Sequence, residues 1–155
     1  MTEPFIVAPD EGRLLDLGNF QAVVLATSDQ TAGAFSLLRT QDEPPGFGPP
    51  MHVHRDAAEA FLVLEGTYRM HVVERQQLCP PGSFVYVPAG TPHTFEVVSD
   101  GPGTKLNLFA PAAMTGFFEE LAVAEAKGQA SPEALADIAA HNGMEVLGPV
   151  PDSYL

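Results

Sequence analysis

Three histidines and one glutamate carry most of the chemistry open to this sequence. His52 and His54 are two residues apart, so on an extended strand both imidazoles point to one face. Glu59 follows at the mouth of an apolar run over 60–64, and His93 stands downstream in Val-Pro-Ala-Gly-Thr-Pro-His-Thr-Phe. Three neutral imidazoles and one carboxylate suit a divalent first-row metal and leave positions open for a ligand. As a ligand, Glu59 offsets one metal charge. If it detaches, it can accept a proton, since burial pulls its pKa up while the cation pulls it down.

The remaining candidates are weaker. His71 lies on the strand after the Gly66 turn. It faces in or out according to the parity of that turn, and is read as structural or supporting. His141 stands at a helix C-terminus, where a cation is mildly favoured. Cys79, beside Pro80, has no neighbouring histidine in the sequence to activate it and reads as a loop residue.

The elements that must position these groups read as one domain. The 155 residues are 45% hydrophobic, an ordinary globular composition with enough chain for a buried core. Seven basic residues against 20 acidic ones give a net charge of −13. That balance excludes a nucleic-acid partner, which needs a basic footprint, and an anionic membrane partner, while it draws divalent cations. A single cysteine fits a reducing compartment. The N-terminus lacks a signal-peptide pattern, and no apolar run reaches membrane-spanning length. The expectation is a cytoplasmic protein.

Short strands are expected over 20–27, 33–40, 60–64, 68–74, 83–87, 91–98 and 104–110, with turns between them. Seven or eight such strands imply a sandwich or barrel. Leu106, Leu108 and Ala110 share a face of the last one. Residues 5–7 read as an edge strand, 14–17 as packing outside the core, and 76–82 as a turn. Over 41–51, Pro44, Pro45, Pro49 and Pro50 surround Gly46 and Gly48, giving either a stiff connector or a pocket rim. From Met114 the period becomes helical, with Thr115 as N-cap candidate and Gly128 beyond the end. Ser131-Pro132-Glu133 starts a second helix that stops near His141-Asn142-Gly143. The barrel core therefore runs about 20–110, a helical extension about 114–143 covers its outside, and 144–155 is an extended tail.

The two histidine segments together resemble the cupin superfamily. Gly46, His52, His54, Glu59 and Gly66 fall at the intervals of the first cupin motif. Gly82, Pro88, Gly90 and His93 fall at those of the second, where Val97 replaces an asparagine. Within the superfamily, Glu-Ala-Phe-Leu-Val-Leu-Glu-Gly-Thr-Tyr-Arg and Gly-Ser-Phe-Val-Tyr-Val-Pro-Ala-Gly-Thr-Pro-His-Thr-Phe are similar to quercetin 2,3-dioxygenase-like cupins. The resemblance implies an all-β fold, a double-stranded β-helix or jelly-roll barrel, here over a single domain of residues 1–155 with its two C-terminal helices packed outside. It implies one divalent transition metal (Fe, Mn, Ni, Co or Zn) held by His52, His54, Glu59 and His93, and it carries a homodimer as an expectation.

Residues sharing a ligand's parity should face the metal. Phe61, Phe95, Tyr86, Phe47 and Tyr68 are the candidates for a substrate pocket, while Val63 and Val97 read as barrel filling. An apolar, aromatic pocket suits a flat, weakly polar small molecule. The leading expectation is a dioxygenase on a flavonol-like or otherwise enolisable aromatic substrate, with Glu59 as general base. The flavonol reaction that the resemblance implies cleaves the heterocycle and releases carbon monoxide. Two alternatives stand beside it. One is non-redox isomerase, cyclase or lyase chemistry at the same site, and the other is a non-enzymatic small-molecule-binding module.

Overall fold

Alternation at period two gives each strand one face to bury, and two antiparallel sheets bury those faces against each other. The computed structural model describes residues 2–155. Its first strands are β1 (Arg13–Asp16), β2 (Gln21–Ala26), β3 (Ser36–Glu43), β4 (His52–His54), β5 (Ala58–Glu65) and β6 (Tyr68–Val72). There follow β7 (Arg75–Cys79), β8 (Phe84–Val87), β9 (His93–Val97), β10 (Gly103–Ala110), helices α1 (Thr115–Ala126) and α2 (Pro132–His141), and β11 (Met144–Val146).

One sheet has six strands in the order β1-β2-β3-β10-β5-β8, and the other has five in the order β11-β4-β9-β6-β7. All pairings are antiparallel. This is the expected all-β jelly roll with two C-terminal helices. The inner faces carry Leu38 and Thr40 from β3, Phe61 and Val63 from β5, Tyr68 and Met70 from β6, and Phe95 and Val97 from β9, all buried. Val97, at the position where the cupin motif has asparagine, fills the core.

Several local expectations need correction. Residues 5–7 form no strand; the edge strand is β1, and it pairs with β2. The turn expected over 76–82 is confined to its end, because Val73 takes a left-handed φ of 56° and turns the chain early, which leaves 75–79 to form β7. Thr115 is the first helical residue, and the N-cap is Met114, at φ 70° with no side-chain cap bond. The second helix starts as expected, with Ser131 Oγ accepting from the Ala134 N–H at 3.1 Å. Its C-terminal partner is also new. Residues 144–146 of the tail form β11, which pairs with β4.

On β10, Leu106, Leu108 and Ala110 share a face as expected; it is the outer one, where they are half-buried, while Gly103, Lys105, Asn107 and Phe109 point inward. That outer face also exposes Leu62, Leu64, Phe84 and Tyr86. Among the described residues no helix is long and apolar enough to cross a membrane.

Candidate metal centre

β4 and β9 lie side by side, with His52 and His93 directly opposite in register. Parity puts His54 on the same face as His52, and Glu59 reaches them from β5 in the facing sheet. All four side chains are buried, and their candidate ligand atoms lie within 4.8 Å of one another. Glu59 Oε2 sits 2.8 Å from His54 Nε2 and 2.9 Å from His93 Nε2.

The second ring nitrogens explain why the rings converge. His52 Nδ1 is 2.8 Å from the Pro50 carbonyl, and His93 Nδ1 is 2.8 Å from that of Thr91. A carbonyl only accepts, so each Nδ1 donates and each Nε2 is turned to the centre, where it offers a lone pair to a cation once the ring is neutral. His54 Nε2 is buried and makes no hydrogen bond despite its closeness to Glu59. A buried polar atom left unpartnered beside three other donors is what a bound cation would satisfy. The residues therefore fit a divalent first-row metal, and they form a cupin-like metal-binding arrangement.

The proline-rich segment both stiffens and rims this site. Pro50 orients His52, while Phe47 and Pro49 line the cavity above the cluster. The segment packs against β9 through Gly46 N–H to Val97 O, at 2.8 Å, and Val97 N–H to Phe47 O, at 2.9 Å. Gly48 is required there, because a Cβ would lie 2.1 Å from the Phe95 carbonyl oxygen.

The pocket candidates divide. Phe47 and Phe95 line the cavity. Phe61 and Tyr68 do not; they pack in the core against Phe95, with ring centroids 5.9 and 5.5 Å from it. Tyr86 is excluded outright. It is 59% exposed, because β8 turns Val85 and Val87 inward and Phe84 and Tyr86 to the outside. His71 also turns outward, between the inward Met70 and the strand end. His141 is exposed, 3.7 Å from Glu120. Cys79 is buried at the end of β7, and burial raises its thiol pKa.

The cavity has walls the sequence did not announce. Met114, Phe117 and Phe118 come from α1 and its cap, Met144 from β11, and Tyr154 from the tail. Tyr154 stacks on Phe47 with centroids 5.3 Å apart, and burying a ring of this size contributes roughly 2 kcal/mol. Thr40, Glu43, Lys105 and Asn107 add a polar group to the same cavity. A lysine spaced two residues before an asparagine on an apolar strand was the available signal, and the neighbouring leucines masked it.

Burial opposes charge on His52, Glu59 and His93, and each settles differently. His52 is drawn down to about 3, first by burial and then by the neighbouring His93 and His54. Burial pushes Glu59 up, but the charges of His54 and His93 and the hydrogen bond from His93 outweigh it and hold the carboxyl well below its usual range. Burial lowers His93 too, yet its hydrogen bond and attraction to Glu59 carry it above the ordinary histidine value. Metal and proton therefore compete for His93. Below the raised pKa, metal uptake must release a proton; above it, none is released. Apparent metal affinity should climb with pH by up to about tenfold per unit and level off once His93 is neutral. Competition titrations across neutral pH check this, and an affinity that falls as pH rises contradicts it. In the metal-free fold the same pair acts oppositely. Its stabilisation is full below the unfolded histidine pKa and is lost as pH rises through the folded value.

Comparison with known proteins agrees with this arrangement. The cupin domain family matches residues 39–109, which span both histidine segments. Quercetin 2,3-dioxygenase from Bacillus subtilis (strain 168) is 30% identical over 96 residues, covering 62% of this chain and 28% of that protein. The chain thus matches little more than a quarter of that relative's length. Among solved structures, a predicted oxalate decarboxylase from Thermotoga maritima superposes with a TM-score of 0.64 at 16% identity, over 69% of this chain and 99% of the other. KdgF from Halomonas sp. gives 0.62 at 15%, over 70% and 94%. The polyketide cyclase RemF from Streptomyces resistomycificus gives 0.59 at 19%, over 70% and 80%. At these identities the structures speak for the fold alone. Fold and sequence point the same way: residues 39–109 match the cupin domain family, and the two sheets that carry them have the fold of the cupin structures.

Proposed function

We propose that this protein is a metal-dependent oxygenase acting on a small enolisable or aromatic molecule. One observation carries this. The His52, His54, Glu59 and His93 cluster opens directly into an aromatic-lined cavity. The similarity to quercetin 2,3-dioxygenase supports it. When bound, the divalent metal would supply Lewis acidity that makes a substrate hydroxyl more acidic and would provide a route for reaction with dioxygen.

The chain's own groups do the rest. Glu59 Oε2, unprotonated in the cluster, takes the proton from the substrate hydroxyl. Phe47 and Phe95 hold a flat ring and Tyr154 closes the far wall of the cavity, and together they exclude water, which strengthens every charge interaction there. The test is dioxygen uptake by metal-loaded protein over a panel of 3-hydroxyflavones and 3-hydroxy-4-pyranones. No uptake with any member removes the oxygenase reading.

A second reading, non-redox isomerase, cyclase or lyase chemistry, is favoured by Lys105 and Glu43. These place a second proton donor and acceptor in the same cavity. Turnover that persists under strict anaerobiosis decides for it.

Size bears on the substrate. The cavity offers about 40 Å³ to the centres of water molecules, room for a few waters but not for a three-ring flavonol. A large substrate needs the wall of Phe117, Phe118 and Tyr154 to yield. Tyr154→Ala should therefore lower KM for 3-hydroxyflavone by about tenfold while leaving a monocyclic hydroxypyranone unchanged. Equal effects on both probes would mean that Tyr154 does not gate by size.

The homodimer belongs to the same proposal, with the outer face of Leu62, Leu64, Phe84 and Tyr86 as its contact. Light scattering should give about twice the 16.5 kDa chain mass, and Phe84→Lys should halve it. A wild-type monomer ends that assignment.

A further inference from the structure

The cavity holds a second polar constellation that the metal cluster does not use. Lys105 Nζ donates to Glu43 Oε1 at 2.7 Å and to Thr40 Oγ1 at 2.8 Å, with both charged side chains essentially inaccessible to solvent. Thr40 Oγ1 also accepts from Asn107 Nδ2 at 3.0 Å, so its own acceptor capacity is spent.

A local irregularity builds this site. Asp42 takes a left-handed φ of 55°. The β3–β10 register steps from Thr40 opposite Lys105 to Glu43 opposite Gly103. This bulge turns Glu43 inward, where simple alternation from Thr40 would have pointed it out.

Two valences remain open. An ammonium has three protons, and only two of those on Lys105 have acceptors; the third faces the Phe95 ring, with Nζ 4.0 Å from its centroid. Glu43 Oε2 is buried and has no hydrogen-bond partner. Tyr68 lies close enough for the Glu43 charge to add to the effect of burial in raising its pKa. Even a bond from that hydroxyl would leave Glu43 Oε2 a second lone pair.

Resting on the metal-dependent reading above, we infer that Lys105 and Glu43 are specificity-determining residues that bind a neutral hydroxyl of the ligand, apart from the oxygen that meets the metal cluster. One hydroxyl satisfies both valences at once, accepting from Lys105 Nζ and donating to Glu43 Oε2. A carboxylate would meet the Glu43 charge and an ammonium the Lys105 charge, so each is disfavoured. The ligand class is therefore a hydroxylated enolone, with one end for the metal and a free hydroxyl for the pair.

Matched probes test this. Kojic acid and allomaltol are 3-hydroxy-4-pyranone-type chelators that differ by one hydroxyl, and 3-hydroxyflavone can be compared with analogues hydroxylated at different ring positions. Calorimetry on zinc-loaded protein, with zinc content checked afterwards, should show a hydroxylated member binding at least about tenfold tighter than its partner. In the Lys105→Met, Glu43→Leu double variant, which replaces a buried ion pair by apolar groups of similar size, that advantage should fall to about onefold. Affinity for the unhydroxylated member should persist. Binding without preference across the panel overturns the inference and leaves the metal reading intact, as does a preference that survives the double replacement. Preference without dioxygen uptake removes the oxygenase and keeps the hydroxyl site. No binding by any member overturns both.

Discussion

His52→Ala and His54→Ala should each leave the protein without stoichiometric first-row metal. Removing a group that merely orients a ligand already costs about 10–100-fold in affinity, and removing the ligand itself should exceed that. The cluster has no spare donor. Among the described residues only these four His, Cys, Asp or Glu side chains converge within 4.8 Å, and His71 faces away. The two histidines should differ in their effect on the metal-free fold. His52 is tied to the Pro50 carbonyl, so its loss frees a buried acceptor. His54 has neither ring nitrogen hydrogen-bonded, so its loss removes an unpaired buried imidazole and costs less. Metal analysis after purification without chelator measures the first effect, and thermal unfolding without metal measures the second. Added metal at about 100 times its Kd should stabilise the wild type by about 2.7 kcal/mol and neither variant. A variant that keeps full metal occupancy would remove that histidine from the ligand set.

How far the sequence foretold this molecule depended on whether local spacing or distant pairing set a side chain's direction. His52 and His54 were legible because parity along one strand suffices, and His93 because its interval within a motif is fixed. Their orientation by Pro50 and Thr91 was not, since it depends on carbonyls rather than on side-chain identity. Glu43 shows the sharper limit. Its inward aim depends on the bulge at Asp42, and nothing in Thr-Gln-Asp-Glu marks that a residue is inserted there. Lys105 was hidden for a related reason. The pattern puts Leu106 and Leu108 on one face without saying which side it takes; the interior at that point is polar, and the leucines lie on the outer surface with Leu62 and Phe84. Tyr86 failed by an inversion of parity on an edge strand. Tyr154 and β11 were unreadable because a tail's docking is decided by the cavity it closes, not by its own pattern.

Glu59→Gln should retain the fold and most of the metal while losing turnover per metal by about 10²–10⁴-fold. Glutamine matches the shape of glutamate and keeps a carbonyl oxygen to face the cation, but it cannot accept a proton. In the metal-free cluster the proton-accepting form is the one present at neutral pH. His54 and His93 hold the Glu59 carboxyl below its usual range despite its burial, so it is unprotonated throughout the neutral region. The sign follows directly. A depressed carboxyl keeps its base form as pH falls, and activity that depends on it declines only in acid. In the wild type, kcat/KM should therefore be flat in Glu59's protonation through neutral pH. The Gln variant should lose kcat and kcat/KM together, as expected for an interaction made in the transition state. Rates must be divided by measured metal content, because a weaker ligand also lowers occupancy. A per-metal kcat within about threefold of wild type would leave Glu59 a ligand without a proton-transfer role. If binding alone is the protein's task, the variant would instead lose only metal or ligand affinity, since no proton has to move.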